Sequence, residues 1–237
     1  MRDTAAPQPP PFVSGPVALL LTNVEGFAGS VVMETRFSSN KVRSRSGELL
    51  GRGGKLLFVP EGSASGRRGA RAGGFSFVWD VGKNSGYLLS EAMQAYAPIP
   101  SGVRFTNIVA KPAASPSPSE RIEGHPCERQ ETVVFSSDGA TVELHTWRAA
   151  DLKGFPVRIN WATNSTSCAI SFSRLQLQSP PGELFQPPDG FTKYESAEVL
   201  MNELLLRQRS GRRGSPGGPG GPEHEGGREG HPPRGRY

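Results

Sequence analysis

Residues 122–159 read IEGHPCERQETVVFSSDGATVELHTWRAADLKGFPVRI, and the reading of this stretch decides the fold. Two alternating runs, Thr132 to Phe135 and Thr141 to Trp147, flank Ser137, Asp138 and Gly139. Asp-Gly between alternating apolar runs predicts a hairpin, because Gly accepts the positive φ that a tight turn requires. A third run, Phe155 to Trp161, follows a short Gly-containing connection. Together they predict a three-stranded meander inside a larger antiparallel sheet.

Downstream, Cys168, Ile170 and Phe172 alternate with Ala169, Ser171 and Ser173, and the parity then slips to Leu175 and Leu177. One extra residue near Ser173 or Arg174 predicts a bulge, a common means of curving a sheet. Pro180, Pro181, Pro187 and Pro188 hold Leu184-Phe185 in an extended, non-helical segment. Ser196 can cap a last helix, in which Val199, Leu200, Leu204 and Leu205 carry the apolar spacing.

Upstream, Ser14 and Pro16 suit the start of a short helix over 15–23. Gly29 to Phe37 alternates as a half-buried strand, and Lys41, Arg43 and Arg45 recur at strand period and point one way, toward solvent. Gly47 to Pro60 reads as two strands around a turn at 51–54. That turn lacks the G-x-x-x-x-G-K-[ST] spacing of a phosphate loop, and Leu56 stands where a Mg²⁺ ligand would be. Gly62 to Gly74 reads as a mobile loop. Phe75, Phe77 and Trp79 then alternate with Ser76, Val78 and Asp80, and Tyr87 to Leu89 returns after a Gly-rich turn. Pro112 to Ser119 is a Pro/Ser linker between two strand-rich halves of one sheet.

The predicted architecture is α+β, a curved antiparallel half-barrel of about nine to eleven strands wrapping over a few helices. Its body spans residues 14–206. Residues 1–13 and 207–237 are expected to be disordered, because their Gly, Pro and charge content cannot bury enough apolar surface to offset ordering. The tail carries seven Arg and three Glu, so four of the five net positive charges sit there. It can contact anionic surfaces non-specifically. The body is close to neutral, which argues against a specific nucleic-acid face.

No apolar run reaches the ~20 residues of a membrane-spanning helix. The first residues lack the apolar core of a secretory signal, so the expectation is a cytosolic protein or a leader preceding this start. Cys127 and Cys168 fall on the first and fourth strands of the meander, about 14 Å apart, whereas bridged Cα atoms lie within ~7 Å. Two separate, reduced cysteines are expected.

The chemistry-bearing residues are sparse. His125, Cys127 and His145 form the one metal-like grouping, and without a CxxC pair or second cluster it reads as structural. There is no G-x-S-x-G elbow, and Asp138 and Asp151 fall in turns, where Asp commonly bonds the backbone. No catalytic residue, metal or cofactor is assigned. The aromatic positions Phe75, Phe77, Trp79, Phe135, Trp161 and Phe172 either fill a core or line an apolar groove that a curved sheet leaves open.

Several segments resemble the LolA/LolB-like superfamily, the fold of the outer-membrane lipoprotein carrier and receptor, and most of all an uncharacterised bacterial family within it. The segments are Ile122-Glu123-Gly124-His125-Pro126-Cys127, Trp147-Arg148-Ala149-Ala150-Asp151-Leu152, Phe155-Pro156-Val157-Arg158-Ile159 and 184–191 (LFQPPDGF). Gly47 to Pro60 and Tyr87 to Pro100, with Leu88, Leu89, Met93 and Tyr96, resemble its earlier hairpins. The resemblance covers residues 14–206. It implies a curved sheet over helices with an apolar cavity, and a monomeric, non-enzymatic protein of the periplasm or cell envelope. Such a protein would bind a lipid or lipidated protein. The alternative is a structural or interaction module with a filled core and no small-molecule ligand.

Overall fold

A computed structural model describes residues 8–62, 74–111 and 120–213. The expectations for residues 63–73, for Pro112 to Ser119 and for the tail after 213 lie outside the described residues. Two short helices come first, α1 (Pro11–Ser14) and α2 (Pro16–Leu21). Seven strands follow: β1 (Gly26–Phe37), β2 (Val42–Arg52), β3 (Lys55–Pro60), β4 (Ser76–Asp80), β5 (Ser85–Ser90), β6 (Ala95–Ile99) and β7 (Phe105–Ala110). The second half holds β8 (Glu120–Ile122), β9 (His125–Ser136), β10 (Thr141–Ala149), β11 (Phe155–Ala162), β12 (Thr166–Gln176) and β13 (Thr192–Lys193). Helix α3 (Ala197–Arg213) closes the described chain.

All thirteen strands belong to one sheet in the order β13-β6-β5-β4-β3-β2-β1-β12-β11-β10-β9-β7, with β8 beside the start of β9. The predicted meander is its right-hand part. Thr141 pairs with Phe135, and Gly139 supplies the turn at φ 86°. The bulge falls where parity slipped: Ala28 faces Gln176 and Ser30 faces Ser173, with Arg174 at φ 53°. Both cysteines are free, on strands three places apart.

Four expectations need correction. Leu184 and Phe185, expected in an extended, non-helical segment, lie in a short 3-10 turn, Gly182–Phe185. The strand count is thirteen rather than nine to eleven. The strands missed are β6, β7, β8 and β13. Two of these have three residues or fewer, and β6 carries Pro98, which a strand tolerates only at an edge or end. Beside β6, β13 pairs only Ala95 and Tyr96, so Pro98 lies past the paired part of that edge. The ordered body also begins earlier than residue 14. Pro11 opens α1, and Phe12 and Val13 are fully buried. A proline-rich sequence thus hides an anchor: Phe12 packs edge-on against Phe58 with ring centroids 4.9 Å apart. At the other end, α3 continues past 206 to Arg213.

Connectivity shows that the sheet curls. Ten strand spacings separate β6 from β7, which in a flat sheet is about 48 Å. Residues 100–104 alone join Ile99 to Phe105, and that length of chain reaches at most ~21 Å. The two ends of the sheet therefore approach each other. Within the curve, α1 packs on β3 and β4, α2 on β7 and β11, and α3 on β6.

Side chains of α1 and α2 plug this concave face. Val17, Leu20 and Leu21 join Phe27, Leu49, Phe58, Leu88 and Phe172 in one core. Two glycines make room for aromatic rings on the same face. A Cβ on Gly51 would meet the Phe27 ring at 2.1 Å, and one on Gly86 would meet the Trp79 indole at 2.5 Å. Gly in a strand permits such close approach and sharper bending. Leu57, Val78 and Leu89 point the other way and pack beneath Phe185, so this half of the sheet is covered on both sides.

Candidate functional site

The five-residue strap 100–104 lies over a cavity of about 560 Å³. Its apolar wall is Trp79 from β4, Ile99 from the end of β6, Val103 from the strap and Phe105 from β7. Ser14 at the end of α1 and Ala197 and Glu198 at the start of α3 complete it, with Gln8 and Pro9 beside them. The space exists because the residues between these large side chains are small: Ser14, Ser101, Gly102 and Ala197.

Hydrogen bonds fix the strap at both ends. The Asn84 side-chain amide donates to the Gly102 carbonyl at 3.0 Å, and Arg104 Nη2 donates to the Gly82 carbonyl at 3.1 Å. The Ser137 amide donates to the Arg104 carbonyl at 2.7 Å. Arg104 thus joins the β4–β5 turn to the β9–β10 turn, which belong to opposite parts of the sheet.

The wall is apolar at the Trp79 side and polar at the α3 side. Ser196 caps α3, its hydroxyl accepting from the Val199 amide at 3.3 Å. The Glu198 carboxyl sits below its ordinary range, held there first by its own backbone N–H and then by the Ser196 hydroxyl. The arrangement suits an apolar body with its polar end toward α3. Among the described residues that line it, no nucleophile is paired with a base.

The six aromatic positions do not form one site. Trp79 lines the cavity. Phe75 and Phe77 are core residues, Phe77 stacking on Phe58 at 6.4 Å. Phe172 is fully buried, edge-on to Phe155 at 5.4 Å. Trp161 lines a separate depression of about 430 Å³ with Arg36, His145 and Cys168. Phe135 is 36% exposed on β9. Sequence reasoning missed Ile99, Val103 and Phe105. The signal was the apolar spacing at 99, 103 and 105 within PIPSGVRF, masked by its two prolines.

The His/Cys grouping is also dispersed. His125 Nδ1 lies 2.8 Å from Asp151 Oδ2, while His145 faces Glu131, six residues along β9. The Cys127 thiol donates to the His125 carbonyl at 3.3 Å rather than facing its ring, and burial pushes its pKa up. A buried, protonated thiol is a poor nucleophile. Among the described residues, no three His, Cys, Asp or Glu side chains converge as metal ligands. No helix among them is long and apolar enough to cross a membrane.

No protein-family model matches the chain, and no curated protein matches it. Solved structures similar to it include an uncharacterised conserved protein from Thermus thermophilus, 12% identical over 76% of this chain and 95% of that one, with a TM-score of 0.42. A LolA superfamily protein from Nitrosomonas europaea is 10% identical over 68% and 90%, with a TM-score of 0.41. The lipoprotein LppX of Mycobacterium tuberculosis is 14% identical over 73% and 99%, with a TM-score of 0.35.

Proposed function

We propose that this chain is a non-enzymatic module of the cell envelope that takes up an apolar ligand, the acyl chain of a lipid or a lipidated protein, in the cavity beneath the strap. The cavity carries the reading. Its volume of about 560 Å³ falls among ligand pockets of ~300–1,000 Å³, and Trp79, Ile99, Val103 and Phe105 give it an apolar wall with polar groups at one end. The sequence segments that resemble the carrier fold support the same reading.

The test fills the space. Ser14→Phe places an aromatic ring into the cavity from the end of α1. Binding of a fluorescent fatty-acid analogue should weaken at least ~10-fold, while the melting temperature stays near that of the parent chain. Unchanged binding in the variant would remove the cavity from the proposal.

A second reading has its own observation. The rest of the concave face is plugged by α1 and α2, with Phe12, Val17 and Leu20 at 1% exposure or less. A structural or interaction module needs only that plug. Under this reading neither the parent chain nor Ser14→Phe would hold the analogue.

A further inference from the structure

The ligand cavity leaves one charged feature unused, the far end of the β1–β2 hairpin. Arg36, Lys41, Arg43 and Arg45 lie within ten residues there, around the uncharged turn Ser38-Ser39-Asn40. All four are exposed, and none is in an ion pair with a carboxylate among the described residues, although Arg45 reaches back to donate to the Gln8 carbonyl at 3.5 Å. The nearest acid on the hairpin is Glu34, and Glu61 beyond it accepts the Ser46 hydroxyl at 2.6 Å.

This end is tied to the neighbouring turn. Phe37 pairs with Thr166 on one side, and its amide donates to the Lys41 carbonyl at 2.9 Å on the other. The Ser38 amide donates to the Ser165 carbonyl at 3.0 Å, which ties the turn to the neighbouring β11–β12 turn. Thr163, Asn164 and Ser165 of that turn are also uncharged. Two joined uncharged turns thus form a surface edged by cations, with Glu34, on the face of Arg36 and Val42, the one acid beside it among the described residues.

Apolar groups accompany the charge on both faces of the hairpin end. Val42 is 49% exposed on the face it shares with Arg36, its partner across the hairpin, and on the other face the Arg43 guanidinium lies over the Phe37 ring at 5.3 Å. On its outer side, β2 pairs with β3 only from Gly47 onward, and among the described residues no strand pairs with Val42 to Arg45 there.

We infer that the β1–β2 hairpin end, with the adjoining β11–β12 turn, is a docking surface for an anionic phospholipid bilayer. Cations facing a negatively charged leaflet attract it additively, and an exposed aliphatic side chain among them can enter the interfacial region. The exposed valine at the tip favours a bilayer over nucleic acid, because the aromatic ring beside the cations, Phe37, is half-buried beneath the Arg43 guanidinium instead of standing open for a base to stack on. The inference concerns how the protein reaches a membrane and holds whether or not the cavity takes an acyl chain.

The test is flotation of the full chain with vesicles of phosphatidylcholine and phosphatidylglycerol at about 2:1, against phosphatidylcholine alone. Replacing Arg36, Lys41 and Arg43 together by Gln should lower binding to the anionic vesicles at least ~10-fold. Raising salt to about 1 M should do the same to the parent chain, since the screening length falls to ~3 Å. A control replacing Arg228, Arg234 and Arg236 by Gln should stay within ~2-fold of the parent, which separates the hairpin from the tail. Val42→Trp supplies an independent readout, a blue-shifted emission on anionic vesicles only. Parent-like binding by the hairpin variant, loss with the tail variant alone, or an unshifted Val42→Trp emission would each overturn the inference. So would binding to an oligonucleotide, lost with the hairpin cations, in a chain that floats with neither vesicle.

Discussion

The concave face contains two regions made from the same kinds of side chain and packed in opposite ways. Against β3, β4 and β11 the helices α1 and α2 fill the curve, Phe12 meeting Phe58 edge-on and Phe155 meeting both Phe27 and Phe172 edge-on. Under the strap, Trp79, Ile99 and Phe105 line a cavity instead. The difference is not in hydrophobicity. It lies in what stands opposite: helical Phe, Val and Leu in the first region, and Ser14, Ser101, Gly102 and Ala197 in the second. Side-chain volume opposite the aromatic wall decides whether an apolar face becomes core or cavity.

The sharpest way to break the comparison is to open the filled region. Phe12→Ala should cost about 3–5 kcal/mol, because the ring is fully buried against Phe58 and its neighbours cannot collapse onto the gap. Val103→Ala in the strap should change stability by less than ~0.5 kcal/mol, since Val103 is half exposed. Urea midpoints of the two variants decide it. Equal losses would mean that the strap is as tightly packed as the plug.

A second substitution acts from the sheet side. Gly86→Val would drive a side chain into the Trp79 indole and the Val78 carbonyl. Crowding costs about 1–3 kcal/mol where a side chain can shift, and more here, because the Val78 backbone carbonyl lies 2.1 Å from the added Cβ. Trp79 has an open cavity beside it, so the indole should move into that space. The carbonyl clash remains, so the expected result is a loss of stability above ~3 kcal/mol, with a changed tryptophan emission and weaker fatty-acid binding. A loss of stability with unchanged emission would show that the backbone yields instead.

Much of this architecture was legible in the sequence, for physical reasons that can be named. Alternation from Thr132 to Trp147 with Asp-Gly at the turn left one sensible pairing, and the parity slip at Arg174 located the bulge. Both are local signals. The cavity was not legible, because it depends on Ile99, Phe105, Ser14 and Ala197, four residues brought together from separate parts of the chain. Proline concealed two of the elements involved. Pro98 made β6 resemble a connection, and Pro9, Pro10 and Pro11 made the plug resemble an unordered end. The resemblance to the LolA-like superfamily supplied the curve, yet not which aromatic residues face an open space.

The smallest effect tests whether the opening hairpin is set by its turn or by its strands, the local counterpart of the packing contrast. The Asp138 carboxylate accepts hydrogen bonds from the Ser136 hydroxyl and from the Ala140 amide, which hold its pKa below the ordinary carboxylate value. A depressed native pKa stabilises the folded state fully above the unfolded value, near ~3.9 for Asp, and that contribution disappears as pH falls through the native value. Asp138→Asn should therefore be less stable than the parent at neutral pH, and the gap should close on acidification below about pH 4. Denaturant curves of both chains across that window supply the measurement. A gap that persists at low pH would assign the turn to side-chain geometry rather than charge. A gap absent at every pH would leave register to the strand pairs alone, with Val134 opposite Val142 and Thr132 opposite Leu144 sufficient to hold it.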